Sequence, residues 1–305
     1  MDVHSVLMGD PGEFHIAGGA NPFTRTWWGR KKYVNLAKAI EQWQGLRSLL
    51  VSLGVRVHVI PASHENPGLV YPANFGVRLG DTFVLSNLLP TRSGERPVYE
   101  AFLKGLGLKT VRMRHRFEGE AEFFPVGSRY LFTYGAVKNQ RFKPRFAIPP
   151  WMRVYGFRTE RHAMDELKAF LPTGTEIVDF ELIEESHYHG DTVFCSFGPN
   201  REFLLAYLEG VSEADRERCR HLFKENLIVL SSRDGFHYAA NSFQVETRDG
   251  LKLLMPEGVS DSLLGQVRER GVTPVAIDVS EFLKKGGGAV KCMIGDLGNL
   301  PQPPP

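Results

Sequence analysis

Hydrophobic and polar positions follow the same short pattern five times along the chain. In each copy, apolar residues three and four positions apart predict a short helix with one apolar face. A turn residue follows, and then apolar and polar residues alternate, which is typical of a strand with one buried face. The five copies are LRSLLVSLGVRVHVI (46–60), YEAFLKGLGLKTVRM (99–113), DELKAFLPTGTEIVDF (165–180), RHLFKENLIVLS (220–231) and LLGQVRERGVTPVAIDV (263–279).

Further short β-like runs, such as DTFVLSN, RYLFTYG, DTVFCSF and EFLLAYL, lie between these copies. We therefore expect an α/β fold in which each repeat contains several strands and one helix. The copies recur at a spacing of roughly 45 to 67 residues, which is within or a little above the range of blades or arrays. The helices should end where a residue can adopt the left-handed conformation. The expected turn positions are Gly54, Gly107, Pro172 with Gly174, the neighbourhood of Asn226, and Gly271.

Residues 136–153, AVKNQRFKPRFAIPPWMR, interrupt the pattern between the second and third copies. They are rich in basic, proline and aromatic residues and follow neither the helix nor the strand period, which predicts an inserted loop. This loop is either a solvated excursion or a lid over a functional site, and its aromatic residues favour the lid. We expect residues 1–300 to form one domain and the proline-rich residues 301–305 to form a flexible tail.

Composition and charge exclude several classes of protein. The 305 residues carry a formal net charge of +2, so neither nucleic acid nor an anionic membrane is an expected partner. The widely spaced Cys195, Cys219 and Cys292 form neither a disulfide framework nor a CxxC zinc motif. The start, MDVHSVLMGD, lacks the pattern of a signal peptide, and no run approaches the roughly 20 apolar residues that span a bilayer. We therefore expect a cytoplasmic protein with free thiols.

Cys292 is the first candidate for chemistry. It lies in KKGGGAVKCMIGD, after three glycines that permit close backbone approach or movement. The nearby Lys284, Lys285 and Lys291 would favour the thiolate, which is the nucleophilic form of cysteine. The alternative is a buried structural cysteine, which is the usual fate of a free thiol.

His189 and Asp191, in SHYHGDTVFCSF, are the second candidates. In an extended segment both side chains point to the same face, where they could divide proton transfer and cation binding between them. His187 lies on that face too, so the pattern alone does not select one histidine. A polar strand end with hydrogen-bonded histidines is the alternative.

Glu118, Glu120 and Glu122 alternate in RFEGEAEFFPVG. On a strand they would share one face, which is costly unless a positive group neutralises them. A solvated edge is the alternative, but the flanking phenylalanines indicate partial burial. A buried carboxylate cluster can bind a cation or orient a histidine.

Three further polar residues are candidates for binding. Asn74 ends the apolar run in NPGLVYPANFG, and Arg92 and Arg158 could each hold a carboxylate in a bidentate fork. For both arginines a surface salt bridge is the alternative.

Together these segments resemble a known superfamily, the guanidino-group-modifying enzymes. The resemblance lies in FEG (117–119), YHGDT (188–192) and GGGAVKC ending at Cys292, with NPF at Asn21, LVYPANFG and TRSGE upstream. It covers nearly the whole chain. The superfamily includes arginine deiminases, arginine dihydrolases, dimethylarginine dimethylaminohydrolases and amidinotransferases. Its fold is the pentein α/β-propeller, in which five pseudo-symmetric ββαβ-type repeats surround a central channel that holds the active site.

The resemblance also implies roles for individual residues. Cys292 matches the nucleophile, His189 the acid/base, and Glu118 the carboxylate that orients the histidine. Asp191 and Asn74 match residues that grip the guanidinium, and many members have aspartate at the second position while the dihydrolase-like branch has asparagine. The remaining expected substrate-binding residues are Arg92 and Arg158, which match arginines that bind a substrate carboxylate, and Asn21 and Glu122.

Some positions depart from the family's pattern. Pro67-Gly68 stands in place of the usual Pro-Asp, and EGEAE replaces EGGD or EGEGD. The basic insertion directly precedes the YGFRT motif that contains Arg158, so it could reshape the end of the pocket that binds the substrate's tail.

The implied function is cysteine-dependent hydrolysis of arginine or an arginine-like guanidino compound through a covalent Cys292 amidino intermediate. The alternative is transfer of the amidino group from arginine to an amine. A non-catalytic pentein binding module, as in the ribosome anti-association factors, would be expected to lack the cysteine and the histidine. The expected partner is a small guanidino substrate, no metal or organic cofactor is implied, and the oligomeric state stays open.

Overall fold

A computed structural model of the chain describes residues 2–19, 21–26, 28–138, 141–143 and 152–301. The helices are α1 Leu36–Ser52, α2 Glu95–Gly105, α3 Ala163–Lys168, α4 Glu213–Phe223, α5 Ser232–Phe236, α6 Asp261–Glu269 and α7 Ser280–Gly286. The strands are β1 Val3–Gly9, β2 Arg56–Ile60, β3 Gly76–Leu79, β4 Thr82–Leu85, β5 Lys109–Arg112, β6 Phe123–Val126, β7 Arg129–Tyr134, β8 Arg141–Lys143, β9 Met152–Val154, β10 Ile177–Glu181, β11 Phe194–Phe197, β12 Phe203–Ala206, β13 Leu227–Val229, β14 Phe243–Thr247, β15 Gly250–Pro256, β16 Thr273–Ile277 and β17 Gly295–Leu300.

Five three-stranded sheets form most of the described fold, in the orders β17-β1-β2, β3-β4-β5, β6-β7-β10, β11-β12-β13 and β14-β15-β16. In each sheet the central strand pairs antiparallel with one neighbour and parallel with the other. The parallel pair needs a crossover, and each crossover contains one helix: α1, α2, α3, α4 or α6. This is the predicted ββαβ repeat. Strand β17 completes the sheet begun by β1, with Val3 opposite Leu300.

The five predicted helix-strand units correspond to these crossovers. Gly54, Gly107 and Gly271 have φ angles of 84°, 80° and 75° at the ends of α1, α2 and α6. In the fourth unit the turn predicted near Asn226 is the 3-10 turn Lys224–Asn226, and the residue with positive φ is Lys224, at 43°.

The predicted insertion contains regular structure at two places. Strand β8 pairs antiparallel with β9, so the expectation of loop throughout 136–153 is wrong for these segments. Residues 139–140 and 144–151 of the insertion, and 302–305 of the predicted tail, lie outside the described residues. The lid therefore stays a prediction, as do the boundaries of the domain and its tail.

The core lies between the sheets and their helices. On α1, Ala39, Leu46 and Leu50 are fully buried at helical spacing, and burial of each leucine stabilises the fold by about 2 kcal/mol. Phe75, directly before β3, stacks on Tyr99 of α2 with ring centroids 4.3 Å apart. Among the described residues, none of the helices combines the length and the apolar character that crossing a membrane requires.

A short turn precedes the first strand of every sheet. Four are 3-10 turns: Pro72–Asn74, Gly119–Ala121, Gly190–Thr192 and Lys291–Met293. The fifth is the turn closed by the bond from Asn241 N to Tyr238 O, directly before β14. These turns contact one another at the centre of the ring, so residues far apart in sequence meet there.

Candidate active site

Cys292, His189 and Asp191 meet at this centre. One donor atom from each lies within 4.8 Å of the others, and all three residues are buried. Among the described residues, this is the group of histidine, cysteine and carboxylate donors close enough to hold a metal ion. His189 Nε2 pairs with Glu118, and the Cys292 sulfur lies 3.4 Å from an Asp191 oxygen, so we assign the three residues no metal role.

The Cys292 sulfur has two polar neighbours. Asn241 Nδ2 lies 3.1 Å from it, and Asp191 Oδ2 lies 3.4 Å from it. Burial raises the pKa of Cys292 well above its ordinary value, and the adjacent Asp191 charge raises it further. In the free protein the thiol is therefore protonated and can donate to Asp191.

The nearby lysines do not activate Cys292 as expected. Lys284 is exposed, and Lys285 Nζ donates to Tyr33 O at 2.7 Å. Lys291 Nζ lies on the far side of the turn, 2.8 Å from Glu120 Oε2. The expectation failed because closeness in sequence does not place side chains on one side of a turn.

His189 is paired with Glu118. Its Nε2 lies 2.8 Å from Glu118 Oε2, and both residues are buried. Burial alone would raise the pKa of Glu118, but the hydrogen bond and charge of His189, with the Arg92 charge, lower it to about 2. His189 Nδ1 has no hydrogen-bond partner among the described residues. With Nε2 donating to Glu118, Nδ1 is the nitrogen available for proton transfer.

His189 and Asp191 do not lie on a strand, as the alternation had suggested. His189 is extended and caps the 3-10 turn Gly190–Thr192, which contains Asp191. A side chain at Gly190 would place its Cβ 2.1 Å from Thr133 Oγ1, so only glycine allows this close packing. His187 is excluded from the site, because its Nε2 bonds to Gly235 O at 3.1 Å.

The three glutamates also diverge, because Gly119–Ala121 is a turn and not a strand. Glu118 reaches His189, whereas Glu120 Oε1 accepts from Asp296 N at 2.6 Å and Glu120 Oε2 pairs with Lys291. Burial raises the pKa of Glu120 to about 7, against the opposing charge of Lys291.

Glu122 supports the site by binding the backbone of the turn that contains Asp191. Its Oε2 accepts from Gly190 N at 3.0 Å and from the Thr133 hydroxyl. Burial raises the pKa of Glu122 well above its ordinary value. Through its bond to Gly190 N, this carboxyl holds the turn of His189 and Asp191 in place.

Arg92 is engaged within the protein and does not present the free fork expected for a substrate carboxylate. Its Nε and Nη2 bond to the Glu95 oxygens at 2.9 and 2.7 Å, and Nη2 also bonds to Gly68 O at 3.2 Å. Its Nη1 donates to Asn74 Oδ1 at 2.9 Å and lies 3.5 Å from Glu118 Oε2. Arg92 therefore positions two polar residues of the site.

The bond from Arg92 fixes the amide of Asn74. Because Oδ1 accepts from the guanidinium, Nδ2 is the free end, and it has no partner among the described residues.

The presence of Gly68 where the family usually has aspartate has a physical reason as well. A Cβ there would lie 2.1 Å from Glu95 Oε1, so the Glu95 carboxylate occupies the space that a side chain at 68 would need.

Arg158 and Asn21 lie at the other side of the cavity. The Arg158 guanidinium is buried 4.8 Å from the centre of the Tyr188 ring, and its Nη1 donates to Gly156 O at 3.0 Å. Asn21 Nδ2 donates to Gly286 O at 2.7 Å and to the Tyr188 hydroxyl at 3.1 Å. Asn21 thus ties the glycine segment before Cys292 to the turn before His189.

A cavity of about 140 Å³ is lined in part by Cys292. Its lining includes the predicted residues Asn21, Asn74, Arg92, Glu118, Arg158, His189 and Cys292. Asp191, 3.4 Å from the Cys292 sulfur, lines a second cavity of about 80 Å³. The lining of the larger cavity combines these polar groups with apolar residues such as Phe14 and Tyr71, which suits a small ligand with both a polar group and an alkyl chain.

Sequence reasoning missed Asn241. The signal was present in YAANSF, where a short turn precedes a strand as PAN does before β3. Comparison of the fifth repeat with the second would have found it.

A buried cysteine, a histidine-carboxylate pair and a second carboxylate in the centre of a five-sheet α/β ring define a pentein enzyme that modifies guanidino groups. In agreement, the N-terminal domain of ArgZ, a cyanobacterial arginine dihydrolase, superposes with a TM-score of 0.81 over 97% of this chain and 98% of that one, at 24% identity. This likeness confirms the predicted fold.

Sequence comparison identifies the family. A model for eukaryotic N,N dimethylarginine dimethylhydrolase matches residues 154–298. The chain is 31% identical over 286 residues to N(G),N(G)-dimethylarginine dimethylaminohydrolase of Mycobacterium tuberculosis, covering 93% of this chain and 83% of that protein. It is 29% identical over 260 residues to the bifunctional arginine dihydrolase/ornithine cyclodeaminase AgrE of Nostoc, covering 84% of this chain and 33% of AgrE.

The chain belongs to the N(G),N(G)-dimethylarginine dimethylaminohydrolase family. The predicted enzyme class, a hydrolase that modifies guanidino groups, is thereby confirmed. The roles of individual residues and the identity of the substrate remain proposals.

Proposed function

We propose that this chain hydrolyses the guanidino group of arginine or an arginine-like compound, with Cys292 as nucleophile, His189 as acid/base and Glu118 as the partner of His189. The observation that carries the proposal is the meeting of Cys292, His189 and Asp191 donors within 4.8 Å. Unpartnered oxygen and nitrogen atoms of Asp191 and His189 are buried at the same point. Such groups are retained where a ligand completes their hydrogen bonds.

Binding of the substrate would activate the thiol. The cationic guanidinium pairs with the Asp191 carboxylate, which in the free protein accepts from the Cys292 thiol at 3.4 Å. The thiol then loses its acceptor and gains a positive neighbour, so its pKa falls and its proton passes to His189 Nδ1. Activation is therefore coupled to the arrival of a cation.

The reaction then proceeds in two steps, formation of a covalent intermediate and its hydrolysis. The Cys292 thiolate forms a bond to the guanidino carbon, and the bond from that carbon to the leaving nitrogen breaks as His189 protonates the departing amine. A water molecule next attacks the same carbon and gives one proton to His189 and the other to the released amine or the solvent. The carbon-sulfur bond breaks, which returns the thiolate and leaves a ureido product.

The tail of the substrate would lie toward Arg158. This guanidinium is buried, lines the cavity and stacks on Tyr188, so it is the cation best placed to attract a carboxylate. Arg92, held by Glu95, acts by positioning Asn74 and Glu118.

The fixed Asn74 amide favours a second hydrolysis at the same site. Its free Nδ2 is a donor, which complements an oxygen acceptor such as the ureido oxygen of the first product. A retained ureido product could then be cleaved with a second water to an amine, carbon dioxide and ammonia. Arginine dihydrolase is the activity named for the related AgrE and ArgZ.

The test is incubation of the purified protein with arginine, methylated arginines, agmatine and guanidinoacetate, with and without added amines. Ammonia or methylamines, citrulline, ornithine and new guanidino compounds are followed by mass spectrometry. Release of an amine and formation of a ureido product or ornithine without an added amine supports the proposal. A new guanidino product formed only with an added amine would identify an amidinotransferase instead.

We also propose a cytoplasmic location. Cys195, Cys219 and Cys292 are all free, and Cys292 needs a reduced thiol to act. Labelling of the three thiols directly after cell lysis, without reductant, would find them reduced.

A further inference from the structure

Asn241 makes four hydrogen bonds around the nucleophile. Its Oδ1 accepts from Cys292 N and from Ala289 N, both at 3.1 Å. Its Nδ2 donates to Cys292 Sγ at 3.1 Å and to Asp191 O at 3.2 Å. The side chain is fully buried. One amide thus connects the turns of Cys292 and Asp191.

The direction of the amide is fixed by chemistry. Backbone N–H groups can only donate, so the atom facing Cys292 N and Ala289 N must be the oxygen. The NH₂ group therefore faces the sulfur. A rotated amide would place a donor against two donors in a buried site, which is costly.

The sulfur consequently accepts from one side and donates to the other. It accepts from Asn241 Nδ2, and its own proton points to Asp191 Oδ2. When the proton leaves, the bond to Asp191 is lost, but the bond to Asn241 becomes a hydrogen bond to an anion. Such bonds are roughly twice as strong as neutral ones.

We propose that Asn241 is a catalytic residue whose amide stabilises the Cys292 thiolate and keeps the sulfur aligned during attack and release. This inference rests on the proposed role of Cys292. It gives the thiolate a donor that is already in place before the substrate arrives, whereas the substrate cation and His189 remove the proton.

The experiment compares Asn241→Asp with the unaltered protein. The aspartate keeps the shape and both acceptor bonds of the turn, but when ionised it replaces the donor at the sulfur by a negative oxygen. The rate of Cys292 alkylation by iodoacetamide is measured from acid to alkaline pH without substrate, and peptide mass spectrometry assigns the label. Asn241→Ala, which removes the donor without adding charge, is the second variant.

Ser242→Ala is the matched control. Ser242 follows Asn241 in the chain, but its hydroxyl donates to Ala239 O at 2.8 Å and not to the sulfur. It should leave the alkylation profile unchanged. Unfolding temperatures measured for all variants separate lost stability from lost reactivity.

We expect both Asn241 variants to alkylate roughly 10- to 100-fold more slowly at neutral pH, with the alkaline rise displaced to higher pH. A folded Asn241→Asp or Asn241→Ala protein with the profile of the unaltered protein would overturn the inference. The Cys292→Ser variant tests the proposed function separately. If that variant retains turnover, Cys292 is not the nucleophile, whatever the alkylation profiles show.

Discussion

Glu118 shows how one buried charge is maintained. The residue has no exposed surface, yet its pKa is lowered to about 2 from 4.5 because His189 and Arg92 outweigh the cost of burial. A carboxylate with a lowered pKa stabilises the folded state above its unfolded pKa, and this stabilisation disappears as the pH falls through the folded value. Glu118 therefore links the geometry of the site to the acid stability of the fold.

Glu118→Gln should remove this pH-dependent stabilisation. A pKa of about 2 in place of 4.5 corresponds to on the order of 3 kcal/mol at neutral pH. In urea unfolding, the difference between the two proteins should be largest above about pH 5 and shrink toward pH 2. The control is Glu217→Gln, at an exposed glutamate paired with Arg220. A Glu118→Gln difference that does not change with pH would contradict this account.

The residues with reactive side chains could be predicted from the sequence, but the contacts that surround them could not. Cys292, His189 and Glu118 carry recognisable motifs. The lysine and strand-face arguments around them failed because the site is built from turns, where side-chain direction follows no period. Asn241 has no reactive group, so only its hydrogen bonds to Cys292 reveal its importance.

At the scale of elements, the site depends on how neighbouring turns are held together. Lys291 Nζ, adjacent in sequence to the nucleophile, pairs with Glu120 at 2.8 Å and lies 5.1 Å from the Phe243 ring centre. Glu120 belongs to the turn that follows Glu118. The pair therefore fixes the turn of Cys292 relative to Glu118, the carboxylate that bonds to His189.

Lys291→Met should lower kcat by roughly 10- to 100-fold with a smaller change in KM, because a displaced turn misaligns reacting groups. It should also destabilise the fold by about 3 kcal/mol, since Glu120 would be buried without its partner. Steady-state kinetics and urea unfolding measure the two effects. Lys285→Met, whose ammonium bonds to Tyr33 O, is the control. The double variant Lys291→Met/Glu120→Leu should recover much of the stability. An unchanged kcat in Lys291→Met would contradict the proposed role of the Lys291–Glu120 pair.

The start of α2 also supports the site. Glu95, in its first turn, holds Arg92 and fills the space above Gly68. We expect Glu95→Ala to release Arg92, free the Asn74 amide and lower kcat/KM by at least about tenfold. In that background Gly68→Asp should restore part of the activity, because its carboxylate enters the vacated space. Gly68→Asp alone should clash with Glu95 and destabilise the fold. If kcat/KM of the double variant does not exceed that of Glu95→Ala, the carboxylate at position 68 does not replace that of Glu95.

At the scale of the whole molecule, a ring of repeats brings the site together. Glu118, His189 and Cys292 are far apart in sequence, but each lies at the turn that leads into the first strand of its sheet. Glu118 and His189 directly precede their turns, and Cys292 lies within its turn. The five-fold helix-strand pattern could be predicted because periodicity reports burial directly. The strands within the insertion could not, since short paired strands of basic and aromatic residues carry no period.

The central claim is that substrate becomes covalently attached to Cys292 and that water releases it. The most direct measurement is acid quenching during turnover of arginine or the preferred methylated arginine, followed by peptide mass spectrometry. We predict an adduct on Cys292 with the mass of the substrate minus the departing amine, absent from Cys292→Ser. Because His189 is needed to activate water, the adduct should persist longer in His189→Ala if it forms there. Turnover without any adduct on Cys292, or turnover retained in Cys292→Ser, would contradict the account.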